Sequence, residues 1–359
     1  MSAHSSLRSG IFAAALSALA FGISAPAVAR LGASIGPFTT AALLYAGAFG
    51  ASWVTSGFGA RAPIALVRRH GGRLVLIASL GAAIGPAAFA WGLQRSGATS
   101  GSLLLNFEAI FTAILAWRLF AEPFGARFVA ALAAMATGGI VLAIDGARQT
   151  HLHPLGLLAI VVATGCWALD NTLTRALSEE PPLSVVAAKS ALGAVLAFGL
   201  AHLLAEPTPN APLRCGLLLL VGALGYGLSL RLYLGAQARI GAARTASVFA
   251  LAPFVGAFAA WLSGDRALGW GGALSVPFFA VGAYLHLTER HQHSHRHEAL
   301  EHEHAHRHDD GHHLHTHEPP VIGEHTHRHR HEAMEHDHDH APDLHHQHEH
   351  GHDHDDHRH

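Results

Sequence analysis

Ten times along this chain of 359 residues, a run of about 20 mostly apolar residues ends in a short charged or Pro/Gly-rich connector. The runs cover approximately 10–29, 36–56, 73–94, 97–117, 126–145, 154–174, 183–204, 213–234, 241–263 and 268–287. About 20 residues is the length of helix needed to cross roughly 30 Å of hydrocarbon. Lipid offers no partner to a free backbone N–H or C=O, so a spanning segment must be a helix or part of a closed barrel. These runs are continuously apolar instead of alternating, which predicts helices. Ala and Gly dominate them, and small residues let helix backbones approach closely.

Half of the residues are hydrophobic and only 13% are charged, against roughly 25% charged in an ordinary soluble domain. The average hides two polymers, because 27 of the 33 histidines and 17 of the 25 acidic residues lie at or after Glu289. Residues 1–288 carry 17 Lys and Arg against 8 acids, a formal +9, and the tail carries 6 Arg against 17 acids, a formal −11. The net charge of −2 therefore cancels a cationic membrane core against an anionic, histidine-laden tail. No clustered basic stripe supports nucleic-acid binding. Cys166 and Cys215 sit in apolar runs without CxxC spacing, so both read as packing residues. With no nucleophile–base constellation, phosphate loop or spaced catalytic metal motif, an enzyme is not expected.

An internal repeat divides the core. Arg95-Ser96-Gly97-Ala98 and Trp117 return 144 positions later as Arg239-Ile240-Gly241-Ala242 and Trp261, and Gly10–Arg30 lines up loosely with Gly156–Arg175. Five helices thus recur as ten, and an odd number per copy implies that the copies are inverted. The expected fold class is all-α membrane, with ten transmembrane helices in two inverted five-helix repeats (1–148 and 149–288) and a disordered His-rich tail (289–359). Arg8, the following apolar stretch and Ala27-Val28-Ala29 would also fit a cleavable signal, but cleavage would leave one repeat a helix short. With the N-terminus inside, one set of connectors holds Arg8, Arg61, Arg68, Arg69, Arg73, Arg127, Arg175, Arg239, Arg244 and Arg290. The other set holds only Arg30, Arg95, Arg148, Arg214 and Arg266. The positive-inside rule then places both termini in the cytoplasm.

The stretches Leu105-Asn106-Phe107-Glu108, Ala116-Trp117, Glu122-Pro123 and Gly138-Gly139-Ile140-Val141-Leu142 resemble EamA-type members of the drug/metabolite transporter superfamily. In the second half the resemblance is carried by Leu251-Ala252-Pro253-Phe254, Ala260-Trp261, Gly264-Asp265 and Gly282. It covers about residues 10–288 and implies a transporter built from two five-helix repeats. The second copy departs from the first: Ala252 replaces the carboxylate of Glu108, and Asp265-Arg266 replaces Glu122-Pro123. Trp167-Ala168-Leu169-Asp170-Asn171, Lys189 and Leu287-Thr288-Glu289-Arg290-His291 look like a His-tailed bacterial subgroup, whose cargo the motifs do not identify.

A charge at bilayer depth costs several kcal/mol unless it faces protein or water, so each is a candidate for function. Glu108 and Asn106 fall near the middle of the fourth run, where Glu108 could couple transport to protons or form a structural ion pair with Lys189 or Arg231. Asp170 and Asn171 lie in the sixth run, with Arg175 near enough in sequence to pair with Asp170 along one helix face. Lys189 could line the path, pair with Glu108 or Asp170, or snorkel. Arg231 could hold an anion bidentately or mark a helix end. The tryptophans read as packing or interfacial anchors.

The tail repeats His-x-His with nothing apolar enough to build a core. Neutral imidazoles among carboxylates make a multidentate ligand for Zn, Ni, Co or Cu ions. The candidate ligands are His291, His293, His295, His297, His302, His304, His306, His308, His325, His327, His329, His331, His336, His338 and His340. Arg296-His297-Glu298-Ala299-Leu300-Glu301-His302 returns 34 residues later as Arg330-His331-Glu332-Ala333-Met334-Glu335-His336, implying two similar chelating units. The expectation is a bacterial inner-membrane secondary transporter of a small solute, a metabolite first, working by alternating access with a metal-responsive cytoplasmic tail. The alternatives are a divalent Ni, Co or Zn transporter, and a membrane-anchored metal sensor or store. Its partners are the lipid bilayer and a small solute or metal ion, with no nucleic acid and a homodimer left open. No cofactor is required beyond the ions held by the tail.

Overall fold

In the computed structural model, residues 3–55, 61–120, 126–148, 153–177, 180–207, 209–265, 269–287, 295–297, 301–306, 325–330 and 334–336 are described. The chain divides into a helical body and, as a separate unit, Arg290–Pro342. In the first repeat lie α1 (Ala3–Leu31), α2 (Pro37–Thr55), α3 (Arg61–Ala78), α4 (Gly85–Ser96), α5 (Ala98–Leu104), α6 (Phe107–Phe120) and α7 (Ala126–Arg148). The second holds α8 (Pro154–Thr174), α9 (Pro182–Leu203), α10 (Pro212–Val221), α11 (Ser229–Ile240), α12 (Ala242–Phe249), α13 (Ala252–Leu262), α14 (Trp270–Ala273) and α15 (Ser275–Leu287). In the tail, β1 (His295–His297), β2 (Glu301–His306), β3 (His325–Arg330) and β4 (Met334–His336) form antiparallel pairs β1–β4 and β2–β3.

Among the described residues, seven stretches are long and apolar enough to cross a bilayer: Leu7–Ser34, Pro63–Ser96, Ala98–Leu119, Pro154–Thr174, Pro182–Leu203, Pro212–Ile240 and Arg244–Leu262. Val129–Asp145 and Ser275–Leu285 are shorter apolar helices, and α2 occupies the second apolar run. Phe12, Val54, Ile140, Val195, Phe198 and Leu213 are each more than half exposed. So much outward apolar surface fits contact with lipid.

The fourth and ninth apolar runs each break near their middle into two helices. The fourth divides into α5 and α6 around Leu105-Asn106, and the ninth into α12 and α13 around Ala250-Leu251. At the first break the Asn106 amide donates to the Leu103 carbonyl at 2.8 Å, satisfying backbone that a continuous helix would have used. Each broken run follows a glycine with positive φ, Gly97 at 76° and Gly241 at 81°. Only glycine takes that conformation without a Cβ penalty, so the corner recurs with its residue type.

The repeats interlock. Helix α1 packs against α11 and α13 of the other repeat, α8 packs against α4 and α6, and α2 lies along α9. A π-helical turn, Ser79–Ile84, joins α3 to α4, and a second, Gly222–Leu228, joins α10 to α11. The contacts are backbone-close: a Cβ on Gly47 would meet the Leu219 carbonyl, one on Gly222 the Leu44 carbonyl, and one on Gly193 the Ala82 side chain. Without a hydrophobic drive between helices in lipid, such close van der Waals approach is a main source of association.

Valine at Gly47 or Gly222 forces this seam apart and is expected to cost about 1–3 kcal/mol, as overpacking does. Thermal unfolding in detergent should show a lower Tm for each. Gly199→Val, at a position where a Cβ meets nothing within 4 Å, should leave the Tm within a degree or so of the parent.

Candidate transport site in the helical body

Asp170 on α8 bonds across to Lys189 on α9. The Lys189 ammonium on α9 donates to Asp170 Oδ2 on α8 at 2.6 Å, with the side chains 14% and 3% exposed. Thr174 Oγ1 donates to Asp170 Oδ1 at 3.3 Å. The Arg175 side chain, expected to compete for Asp170, lies outside the described side chains. A buried pair has this short, charge-assisted geometry because each ion alone would carry the full cost of desolvation.

The carboxylate leans on the first π turn. Asp170 packs so closely on Gly81 that any side chain there would collide with it. The Gly81 carbonyl accepts from Tyr45 Oη at 2.7 Å and from Trp167 Nε1 at 3.0 Å. π-Helical turns often lie at functional sites because they disturb the regular ladder of backbone bonds. Here one such turn draws a tyrosine from α2 and a tryptophan from α8 onto one backbone oxygen.

Glu108 lies in the first turn of α6, just past the helix break, where the helix N-terminus favours negative charge. Its Oε1 accepts from Asn171 Nδ2 at 2.8 Å. Glu108 is half-buried and Asn171 exposed, and Glu108 lies within electrostatic reach of Asp170, Lys189, Tyr45 and Tyr233. Beside this cluster an aromatic row runs Tyr45, Tyr226, Phe21, Phe249, Tyr233, with successive ring centroids 5.0 to 5.7 Å apart.

Four of the six polar candidates, Glu108, Asp170, Asn171 and Lys189, therefore meet. Asn106 is buried and spends its amide on Leu103 at the helix break. Arg231 is exposed and donates to the Thr55 carbonyl at 2.6 Å, so it caps the C-terminal end of α2. The sequence reading missed Tyr45, Gly81 and the hydrogen-bonding role of Trp167. A lone tyrosine in an apolar run was the available sign for Tyr45; a backbone acceptor leaves none. Two further acids act as long-range caps: Glu206 accepts from Phe38 N and Thr39 N at 2.9 Å, and Asp265 from Thr99 N at 2.9 Å.

Among the described side chains, all of which belong to the helical body, no three His, Cys, Asp or Glu gather closely enough to hold a metal ion. His202 is exposed near the end of α9. Of the tail candidates, His295, His297, His302, His304, His306, His325, His327, His329 and His336 lie on described strand backbone. His291, His293, His308, His331, His338 and His340 lie outside the described residues.

Interlocked repeats and an apolar outer surface define a polytopic membrane protein. The description of the EamA-like transporter family matches residues 8–144 and 154–288, and the chain belongs to that family. A relative from Methanothermobacter thermautotrophicus (strain Delta H), an uncharacterized transporter, is 27% identical over 197 residues, 53% of this chain and 56% of the relative. The chain thus spans about half the length of that relative. A solved crystal structure matches 77% of this chain and 96% of its own at a TM-score of 0.56 and 18% identity, a likeness of fold. Members of this family are transporters and not enzymes.

Neutralising one member of the buried pair tests its energetics. Lys189→Met leaves an unpaired carboxylate and should cost about 3–5 kcal/mol, while Asp170→Leu/Lys189→Met together should recover most of that loss. Thermal unfolding of the three proteins in one detergent measures both; a double variant no more stable than Lys189→Met would show that the pair is not the source of the cost.

Proposed function

We propose that the chain is a secondary transporter that moves a small solute by alternating access between its two repeats, through the cluster of Glu108, Asp170, Asn171 and Lys189. The observation that carries this reading is a half-buried Glu108 carboxylate, bonded to an exposed amide beside a neutralised ion pair. A carboxylate retained within an apolar, membrane-spanning segment suits proton coupling or recognition of a polar substrate group. The adjoining aromatic row favours an organic metabolite with an apolar body and one ionised or hydrogen-bonding group over a bare metal ion.

The chain resides in a bacterial inner membrane with both termini cytoplasmic, a reading supported by the excess of arginine in one set of connectors. The tail binds zinc, nickel, cobalt or copper ions and makes transport responsive to them. Divalent metal as cargo remains the second reading, and the tail composition is what favours it.

Flux in proteoliposomes under an imposed pH gradient tests the proposal. Radiolabelled amino, carboxylic and aromatic solutes are compared with nickel, cobalt and zinc, using the full chain, a chain ending at Arg290, and Glu108→Gln. Expected are flux of at least one organic solute, a drop of tenfold or more in Glu108→Gln, and loss of metal response but retained flux in the shortened chain. Metal flux that disappears in Glu108→Gln would make the protein a metal transporter. Absence of all flux, with metal retained by the full chain alone, would make it a sensor or store.

A further inference from the structure

The two strand pairs of the tail share one register. His295 lies opposite His336 and His297 opposite Met334 in one pair; Glu301 lies opposite Arg330 and His306 opposite His325 in the other. Each step forward on one side is a step back on the other, and the count passes from β1–β4 to β2–β3 without a slip.

The 34-residue repeat explains why these segments suit one another. Its copies, Arg296–His302 and Arg330–His336, each begin with Arg and carry Glu at the sixth place. Laid antiparallel, they set Arg296 opposite Glu335 and Glu301 opposite Arg330. A sequence with opposite charges at those two places is self-complementary when duplicated and reversed, and opposed unlike charges favour a strand pair.

Residues two apart share a face of a strand. One face of β2–β3 therefore carries three rungs, His302–His329, His304–His327 and His306–His325; the other carries Glu301–Arg330, Glu303–Arg328 and Ala305–Thr326. Directly opposed residues have Cβ atoms about 4.5–5.5 Å apart, and rungs repeat about 7 Å along a strand. Two adjacent rungs hold four histidines, the number of ligands that a tetrahedral metal site needs.

We propose that β2–β3 is a metal-templated ladder, in which adjacent histidine rungs bind a borderline divalent transition-metal cation and that binding folds the ribbon. A lone two-stranded ribbon is at best marginally stable in water, and this one has no apolar face to bury. Metal ligation supplies what the core lacks, as it does in small metal-dependent domains. The inference rests on the metal-responsive tail proposed above and adds that its histidines act in register instead of interchangeably.

Hydrogen-exchange mass spectrometry on the full chain in detergent at neutral pH, with and without zinc, tests it. Zinc should slow amide exchange across 301–306 and 325–330 at least tenfold, and magnesium should not. His304→Asn/His327→Asn removes the central rung and should abolish that protection. His345→Asn/His348→Asn removes as many histidines outside the ladder and should leave it intact. Zinc retained without protection, or equal loss in both double variants, would overturn the ladder and leave an unstructured chelator. No transport step enters this readout, so failure of the ladder and failure of the transporter reading are separate results.

Discussion

A carboxylate and an ammonium 2.6 Å apart between α8 and α9 anchor the polar interior of the helical body. Neither ion would be tolerated alone among apolar helices, and the pair tolerates little disturbance because Asp170 packs directly on Gly81. That contact needs a glycine and lies in a π turn whose carbonyl also holds Tyr45 and Trp167. Helix α2, the α3–α4 segment, α8 and α9 are therefore tied at one place, and both repeats contribute to it. Glu108 joins the same cluster from α6 through Asn171.

Duplication has kept the scaffold and changed the chemistry. The second repeat keeps the π turn, the positive-φ glycine corner and the broken helix at the corresponding places. Gly225 packs on Ser24 much as Gly81 packs on Asp170, so a hydroxyl stands where the other repeat has a carboxylate. Ala252 likewise occupies the place of Glu108. Ionised groups therefore stand at Asp170 and Glu108, where their repeat counterparts are Ser24 and Ala252.

Hydropathy made the apolar runs legible because lipid imposes length and composition on any spanning helix. Residues 154–174 were read to the residue. The breaks at Leu105-Asn106 and Ala250-Leu251 were not, since both fragments are apolar and a long window averages across two residues. Partner choice was harder still. Asp170 bonds to Lys189, nineteen residues away, because packing in space and not sequence distance brings the two together. The caps made by Glu206 and Asp265 bridge more than 160 positions and leave no local pattern to read.

The different pairing of the two carboxylates has an electrical consequence. A matched ion pair that shifts as a unit carries no net charge through the membrane field. Glu108 is bonded to an amide instead of a cation, so its protonation state sets the charge that the voltage can act on. One elementary charge carried across 100 mV is worth about 2.3 kcal/mol. A rearrangement that moved ionised Glu108 through part of the field would be biased by a fraction of that energy, and the same movement with the carboxyl protonated would be electrically silent.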